Sequence, residues 1–196
     1  MQKTRITVMI YAYQASQLDL LKKQQTLEQV ATVNALVSQG NTRKQARIIV
    51  ARMRPTEWPS LETVVGQAVE QRLAEPDLAG PWESLTEAEA EQLALSGRWP
   101  GPSLGVSMSQ RNYSLPSELV TRLRTAAWRV SEAPMQELEA RGLVGAGLVL
   151  TEAQREQRDE LAARLYPVPR IVREALARYG PAAPPMRQTS EDPQGN

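Results

Sequence analysis

Seven side chains at alternate positions in two short segments could grip a flat, hydrogen-bonding target. Lys3, Arg5, Thr7 and Met9 lie in the first segment; Gln110, Asn112 and Ser114 lie in the second. Arg, Gln and Asn present paired hydrogen-bonding groups that suit the edges of guanine and adenine. Covalent chemistry has much less to work with. The 196 residues include no Cys and no His, which removes disulfides, thiolate nucleophiles and imidazole bases. A structural zinc is not expected either, because zinc sites recruit those two residues. Acid–base chemistry would fall to Asp, Glu, Lys or Tyr. Glu156, Asp159 and Glu160 are the densest carboxylate group, and they read as the solvated face of one charged helix. Gly142, Gly145 and Gly147 match neither dinucleotide-binding nor P-loop spacing. The expectation is therefore a protein that is not an enzyme and holds no metal or cofactor.

For the seven side chains to act together, they must be carried by elements that hold them on one side. Ile6, Val8 and Ile10 alternate with Arg5, Thr7 and Met9, the period of a strand with one buried face. In the second segment Tyr113 and Leu115 take the inward places, and Arg111 falls where an apolar residue would be expected. Helices are expected around these strands. Ser16 is a candidate N-cap, and a stripe of Leu18, Leu21, Leu27, Val30, Val33 or Asn34, and Val37 runs to a stop at Gly40. Thr42 and Gln45 have capping-box spacing ahead of Ala46, Ile49, Val50 and Met53, and Pro55 and Pro59 end that helix. Ser60 caps a helix carrying Leu61, Val64, Val65, Ala68, Val69 and Leu73 inward. After Pro116, Leu119, Leu123 and Val130 mark another, and Pro134 starts or interrupts the next segment. Thr151 and Gln154 form a second capping box, and a last helix carries Ile171, Val172, Ala175 and Leu176.

The chain repeats this layout. A strand-like segment precedes a distant apolar helix in each half, with Val64 54 positions after Ile10 and Ile171 56 after Leu115. Internal repetition of this kind suggests two matched half-domains. The expected organisation is residues 1–75 as the first half, 76–107 as a connector, 108–180 as the second half and 181–196 as a disordered, Pro-rich tail. Net charge is only +1, but its distribution is uneven. The first half carries ten Lys or Arg against six Asp or Glu, and the connector one against five. Trp82 and Trp99 flank a short acidic helix near 85–96 in the connector and are expected to pin it to a domain surface. No run of 18 apolar residues would span a membrane, and the first residues do not form a signal-like apolar block. A cytoplasmic location is expected, with no membrane partner.

Tyr113-Ser114-Leu115-Pro116-Ser117-Glu118-Leu119-Val120, followed by Arg170-Ile171-Val172-Arg173-Glu174-Ala175-Leu176, resembles the ribbon-helix-helix DNA-binding family. The first half resembles it more loosely, with Thr4–Ile10 as strand and Ser60–Leu73 as final helix. The resemblance implies a mainly α fold with a short two-stranded antiparallel ribbon, built here as a tandem pseudo-dimer. It further implies a ribbon lying in the major groove of double-stranded DNA, and self-association on DNA is a further partnership open to such a chain. The N-termini of the final helices, at Ser60 and near Arg170, would offer backbone amides to phosphates. Each half departs from the family by roughly thirty extra residues between its helices, where connections are usually a handful.

The first half offers a second DNA-facing candidate. Helices at 27–38 and 42–54 around Gly40-Asn41 have helix-turn-helix proportions, and Arg43, Lys44, Arg47, Arg52 and Arg54 occur without an intervening acid. The expected function is sequence-specific DNA binding, as a transcriptional repressor or a plasmid partition or transfer factor. The alternative is a protein-interaction adaptor of a phage or plasmid assembly that binds no DNA. An ordinary α-rich domain whose polar strand and helix faces are merely solvated also remains open.

Overall fold

The computed structural model describes residues 2–90, 99, 105–145 and 147–181. Among the described residues, two strands and six long helices follow the order β1 (Lys3–Tyr11), α1 (Ala12–Ser38), α2 (Arg43–Glu57), α3 (Leu61–Leu73), β2 (Met108–Pro116), α4 (Ser117–Ala140), α5 (Glu152–Ala163) and α6 (Val168–Tyr179). The strands pair antiparallel along their full length, from Lys3 opposite Pro116 to Tyr11 opposite Met108. The expected fold class, mainly α with a two-stranded antiparallel ribbon, is what the chain adopts.

Alternation accounts for the ribbon's two faces. Ile6, Val8, Ile10, Tyr113 and Leu115 are buried, because successive side chains of a strand point to opposite sides. They meet Ala15 and Leu18 of α1, Val65, Ala68, Val69 and Leu73 of α3, Leu119, Val120 and Leu123 of α4, and Ile171, Val172, Ala175 and Leu176 of α6. This core draws on both halves of the chain. Within it α3 packs against α6, α3 contacts β2, and α6 contacts β1. A second cluster of Leu138, Leu143, Leu150, Leu161, Ala162 and Leu165 holds α5 to the far end of α4.

Several local expectations hold. Gly40 follows α1 with φ of +96°, a left-handed conformation that favours glycine. The Thr42–Gln45 box closes with Gln45 N–H donating to Thr42 Oγ1 at 3.3 Å and Thr42 N–H donating to Gln45 Oε1 at 2.9 Å. Ser60 Oγ accepts from Thr63 N–H at 3.2 Å, and Thr151 and Gln154 repeat the reciprocal pattern.

Others are overturned. Ser16 caps nothing: α1 starts directly after β1, and the Ser16 hydroxyl donates to Ala12 O at 3.0 Å inside the helix. The start is held instead by buried Gln14, which accepts from Tyr11 N–H at 3.2 Å and donates to Arg173 O at 2.8 Å. Pro55 does not end a helix and Pro134 neither starts nor interrupts one, as α2 runs to Glu57 and α4 continues through Pro134 to Ala140. Proline costs one backbone hydrogen bond there, and burial of Pro134 and Leu138 carries α4 past it. The α1 stripe also divides. Leu18 is buried, whereas Leu27, Val30 and Val37 face solvent.

The connector is docked by charge as well as by an indole. The Glu89 carboxylate accepts from Arg129 at 2.6 and 3.0 Å and from Thr86 N–H at 2.7 Å. The Arg129 hydrogen bonds, with the Thr86 amide adding to them, hold that carboxyl at a pKa of about 2. Trp99 packs edge-on against Trp128, with ring centroids 6.3 Å apart. Trp82 stays exposed and donates only to Leu78 O, four residues back. Residues 87–90 are helical. Residues 85 and 86 precede the helix, and residues 91–96 of the expected acidic helix and the tail from 182 lie outside the described residues.

Candidate nucleic-acid interface

The pairing of β1 with β2 brings the two segments singled out above onto one surface. Arg5 sits opposite Ser114, Thr7 opposite Asn112, and Met9 opposite Gln110. Lys3, Arg5, Thr7, Met9, Gln110, Asn112 and Ser114 are all exposed, while their chain neighbours at 6, 8, 10, 113 and 115 are buried. Neither strand contains an acidic residue. Among the described residues no ion pair involves Lys3 or Arg5, so both cationic heads are available. Same-face residues on a strand are separated by about 6.6 Å, so Lys3 to Met9 spans about 20 Å, roughly six base pairs at 3.4 Å each.

One contact orders the centre of this face. Thr7 Oγ1 donates to Asn112 Oδ1 at 2.7 Å. That fixes the side-chain amide, keeps its N–H2 group free and leaves the oxygen a second lone pair. An adenine edge needs one donor and one acceptor from such an amide. Exposed Met9 supplies the apolar surface that a thymine methyl would meet.

Beneath the face, two polar groups had to be accommodated. Arg111 occupies the unexpected inward position of β2, and its Nη2 pairs with Asp19 of α1 at 2.6 Å. That pair explains how a cation is tolerated beside the core, although Arg111 Nε is buried without a partner. The Tyr113 hydroxyl is likewise buried and unpartnered, and burial pushes its pKa up to about 12. An orphaned hydroxyl costs about 1–3 kcal/mol in desolvation. Tyr113→Phe is therefore expected to leave the fold intact and raise its stability by about 1 kcal/mol in urea titration. A loss above that size would mean that the hydroxyl has a partner in solution.

The other candidate residues are not gathered at the ribbon. Arg43, Lys44 and Arg47 are exposed on α2, whose packing partner is α1, whereas the strands pack against α1, α3, α4 and α6. The helix-turn-helix reading of this region fails on geometry. Arg54 Nη2 donates to Gln29 Oε1 at 2.7 Å, Trp58 Nε1 to Glu28 Oε2 at 2.9 Å, and Gln25 Nε2 to Pro59 O at 3.2 Å. Contacts so far from the Gly40 turn require two helices lying side by side in opposite directions, not crossed as in a helix-turn-helix.

Ser60 is exposed at the start of α3, but its oxygen already caps the helix, and half-buried Glu62 in that first turn would oppose a phosphate. Arg170 is engaged inside the protein. It donates to Glu174 at 3.0 Å and to the carbonyls of Ala163 and Leu165 at 2.6 and 2.8 Å, and it stacks over Tyr166.

Sequence reading missed the groups that brace the ribbon. Arg173 Nη1 donates to Met9 O at 3.0 Å and lies over the Tyr11 ring, clamping α6 to β1. Arg72 of α3 is 1% exposed and reaches Asp77 at 2.8 and 2.7 Å, Glu174 at 3.1 and 2.7 Å, and Glu75 at 3.3 Å. Arg178 and Tyr179 also bind Glu75. The only local signal was Arg72 lying one turn after Ala68 and Val69 on an otherwise apolar face. No protein family, no curated protein and no solved structure matches the chain.

Proposed function

We propose that this protein binds double-stranded DNA by laying the β1–β2 ribbon in the major groove. The observation that carries this reading is the single exposed ribbon face on which Arg5, Gln110 and Asn112 stand free of acidic neighbours in either strand. A two-stranded ribbon fits a groove about 12 Å wide, and alternate side chains then meet successive base edges. Lys3 reaches toward the backbone, which fixes register and contributes the salt-dependent part of affinity.

The ribbon-helix-helix resemblance adds the rest of the proposal. The two halves act as an intramolecular pair in which each contributes one strand, and α3 and α6 correspond to the final helices. Their mutual packing, with each helix also contacting the other half's strand, supports that assignment. Such a protein would serve in the cytoplasm as a repressor or as an accessory factor in plasmid partition or transfer.

Selection of bound duplexes from a random pool tests this reading. A short enriched motif, bound with an affinity that falls steeply on a log–log plot against salt, is the expected result. Absence of any enriched motif, with weak binding that salt does not change, would refute it.

A further inference from the structure

The outer face of α1 is apolar where a surface helix is ordinarily charged. Between Lys23 and Arg43 the only charged residue is Glu28, and that carboxylate is engaged with Gln24 and Trp58 on the α2 side. On the opposite side, Tyr13, Leu20, Leu27, Val30 and Val37 are 55%, 50%, 62%, 55% and 39% exposed. They are not scattered. Tyr13, Leu20, Leu27 and Asn34 recur every seven residues, and Lys23, Val30 and Val37 recur at the same interval three positions later. These are the a and d positions of a coiled-coil seam, with one Asn at an a position. The seam lies across α1 from Gln25 and Gln29, which contact the α2 segment, and from Leu18 in the core.

We infer that this seam is an interface with a second copy of the same chain, formed by two α1 helices packed antiparallel about a two-fold axis. The pattern is self-complementary in that direction. With the axis between residues 28 and 29, Leu20 faces the partner's Val37, Leu27 faces the partner's Val30, and Asn34 faces the partner's Lys23. Leu20, Leu27, Val30 and Val37 each meet an apolar residue, Tyr13 lies past the end of the partner's α1, and the one polar layer joins an ammonium to an amide oxygen. The layers repeat reciprocally, as a two-fold contact requires. A parallel pair would instead press Lys23 against the partner's Lys23, a like-charge contact that costs affinity.

Thr26, Ala31 and Ser38 flank the seam, small enough for close approach and carrying no charge to repel a copy. The four paired apolar side chains expose on the order of 350 Å² per chain, within the range of a monomer's largest functional patch. With their flanks they approach the roughly 800 Å² per partner of a standard interface.

The full chain, free of DNA, should sediment as a dimer at micromolar concentration. Leu27→Glu should raise the dissociation constant about 30-fold or more, and at concentrations low enough for both chains to be monomeric the two melting curves should coincide, since the residue is exposed in the monomer. The chain has no cysteine, so disulfide trapping reads the direction. Mixed and oxidised, a Leu20→Cys variant and a Val37→Cys variant should cross-link to each other and not to themselves. Cross-linking of either variant to itself would overturn the antiparallel register. A chain that stays monomeric throughout the range would overturn the interface, even if a different protein later proved to cover Leu27. Because no DNA is present, failure here leaves the ribbon proposal standing.

Discussion

Arg72→Ala is expected to destabilise the protein by about 3 kcal/mol, the lower end of the cost of breaking a buried ion pair, because its carboxylate partners are partly exposed. That is a large share of the 5–15 kcal/mol by which domains are typically folded. The guanidinium is almost wholly enclosed and ties α3 to Asp77 just beyond it and to Glu174 of α6. Without it, three carboxylates face one another at the α3–α6 contact. Glu174→Gln removes a single charge, keeps the shape and should cost less. Urea titration would show a lower midpoint at unchanged slope. A change below 1 kcal/mol would mean that the cluster is solvated in practice.

The same cluster predicts an acid response. The Arg72 hydrogen bonds hold the Asp77 carboxyl below its ordinary pKa, and the Tyr179 and Arg178 hydrogen bonds do the same for Glu75. A carboxylate whose folded pKa is depressed stabilises the fold at pH values above its unfolded pKa. That contribution disappears as pH falls through the folded value. Stability should therefore decline below about pH 4, and the decline should be shallower in Arg72→Ala, where Asp77 has lost its main partner.

On the ribbon, Arg5→Ala and Asn112→Ala are each expected to cost about 1–3 kcal/mol of discrimination at one base position, or about 5- to 150-fold in preference. Competition binding against single-base variants of the selected duplex measures this directly. Both residues are exposed, so folding should be unaffected. An equal loss on every duplex would move them to the phosphate backbone, and no loss on any would remove the ribbon from the interface. Thr7→Val, which frees the Asn112 oxygen from its fixed orientation, should give a smaller loss at the same base position as Asn112→Ala.

The ribbon was legible in the sequence because its evidence is local. Ile6, Val8 and Ile10 alternate with polar residues, and a period of two permits only one assignment of faces. In β2, Tyr113 and Leu115 carried the same message, although Arg111 stood in an inward place that only Asp19, 92 residues away, makes tolerable. Helix periodicity was less decisive. In α1 it correctly marked apolar residues, but two stripes run along that helix, and Leu18 and Leu27 belong to different ones. Nothing in a periodic pattern says which stripe meets the core. The braces Arg72–Glu174 and Arg173–Met9 join residues 102 and 164 positions apart, beyond the reach of any local rule. Proline was over-read, since Pro55 and Pro134 each remove one backbone hydrogen bond while neighbouring side chains keep the helix in place.

The long separation of the two strands along the chain affects how the protein is made. β1 leaves the ribosome before β2, its partner roughly 100 residues later. At 5–20 residues per second, that delay is about 5–20 seconds. Throughout it an apolar strand with unpaired backbone edges awaits its mate, a template open to strands of other chains. Nascent copies crowded on one messenger are therefore expected to be the stage most prone to cross-pairing, and slower synthesis through the connector would lengthen that exposure.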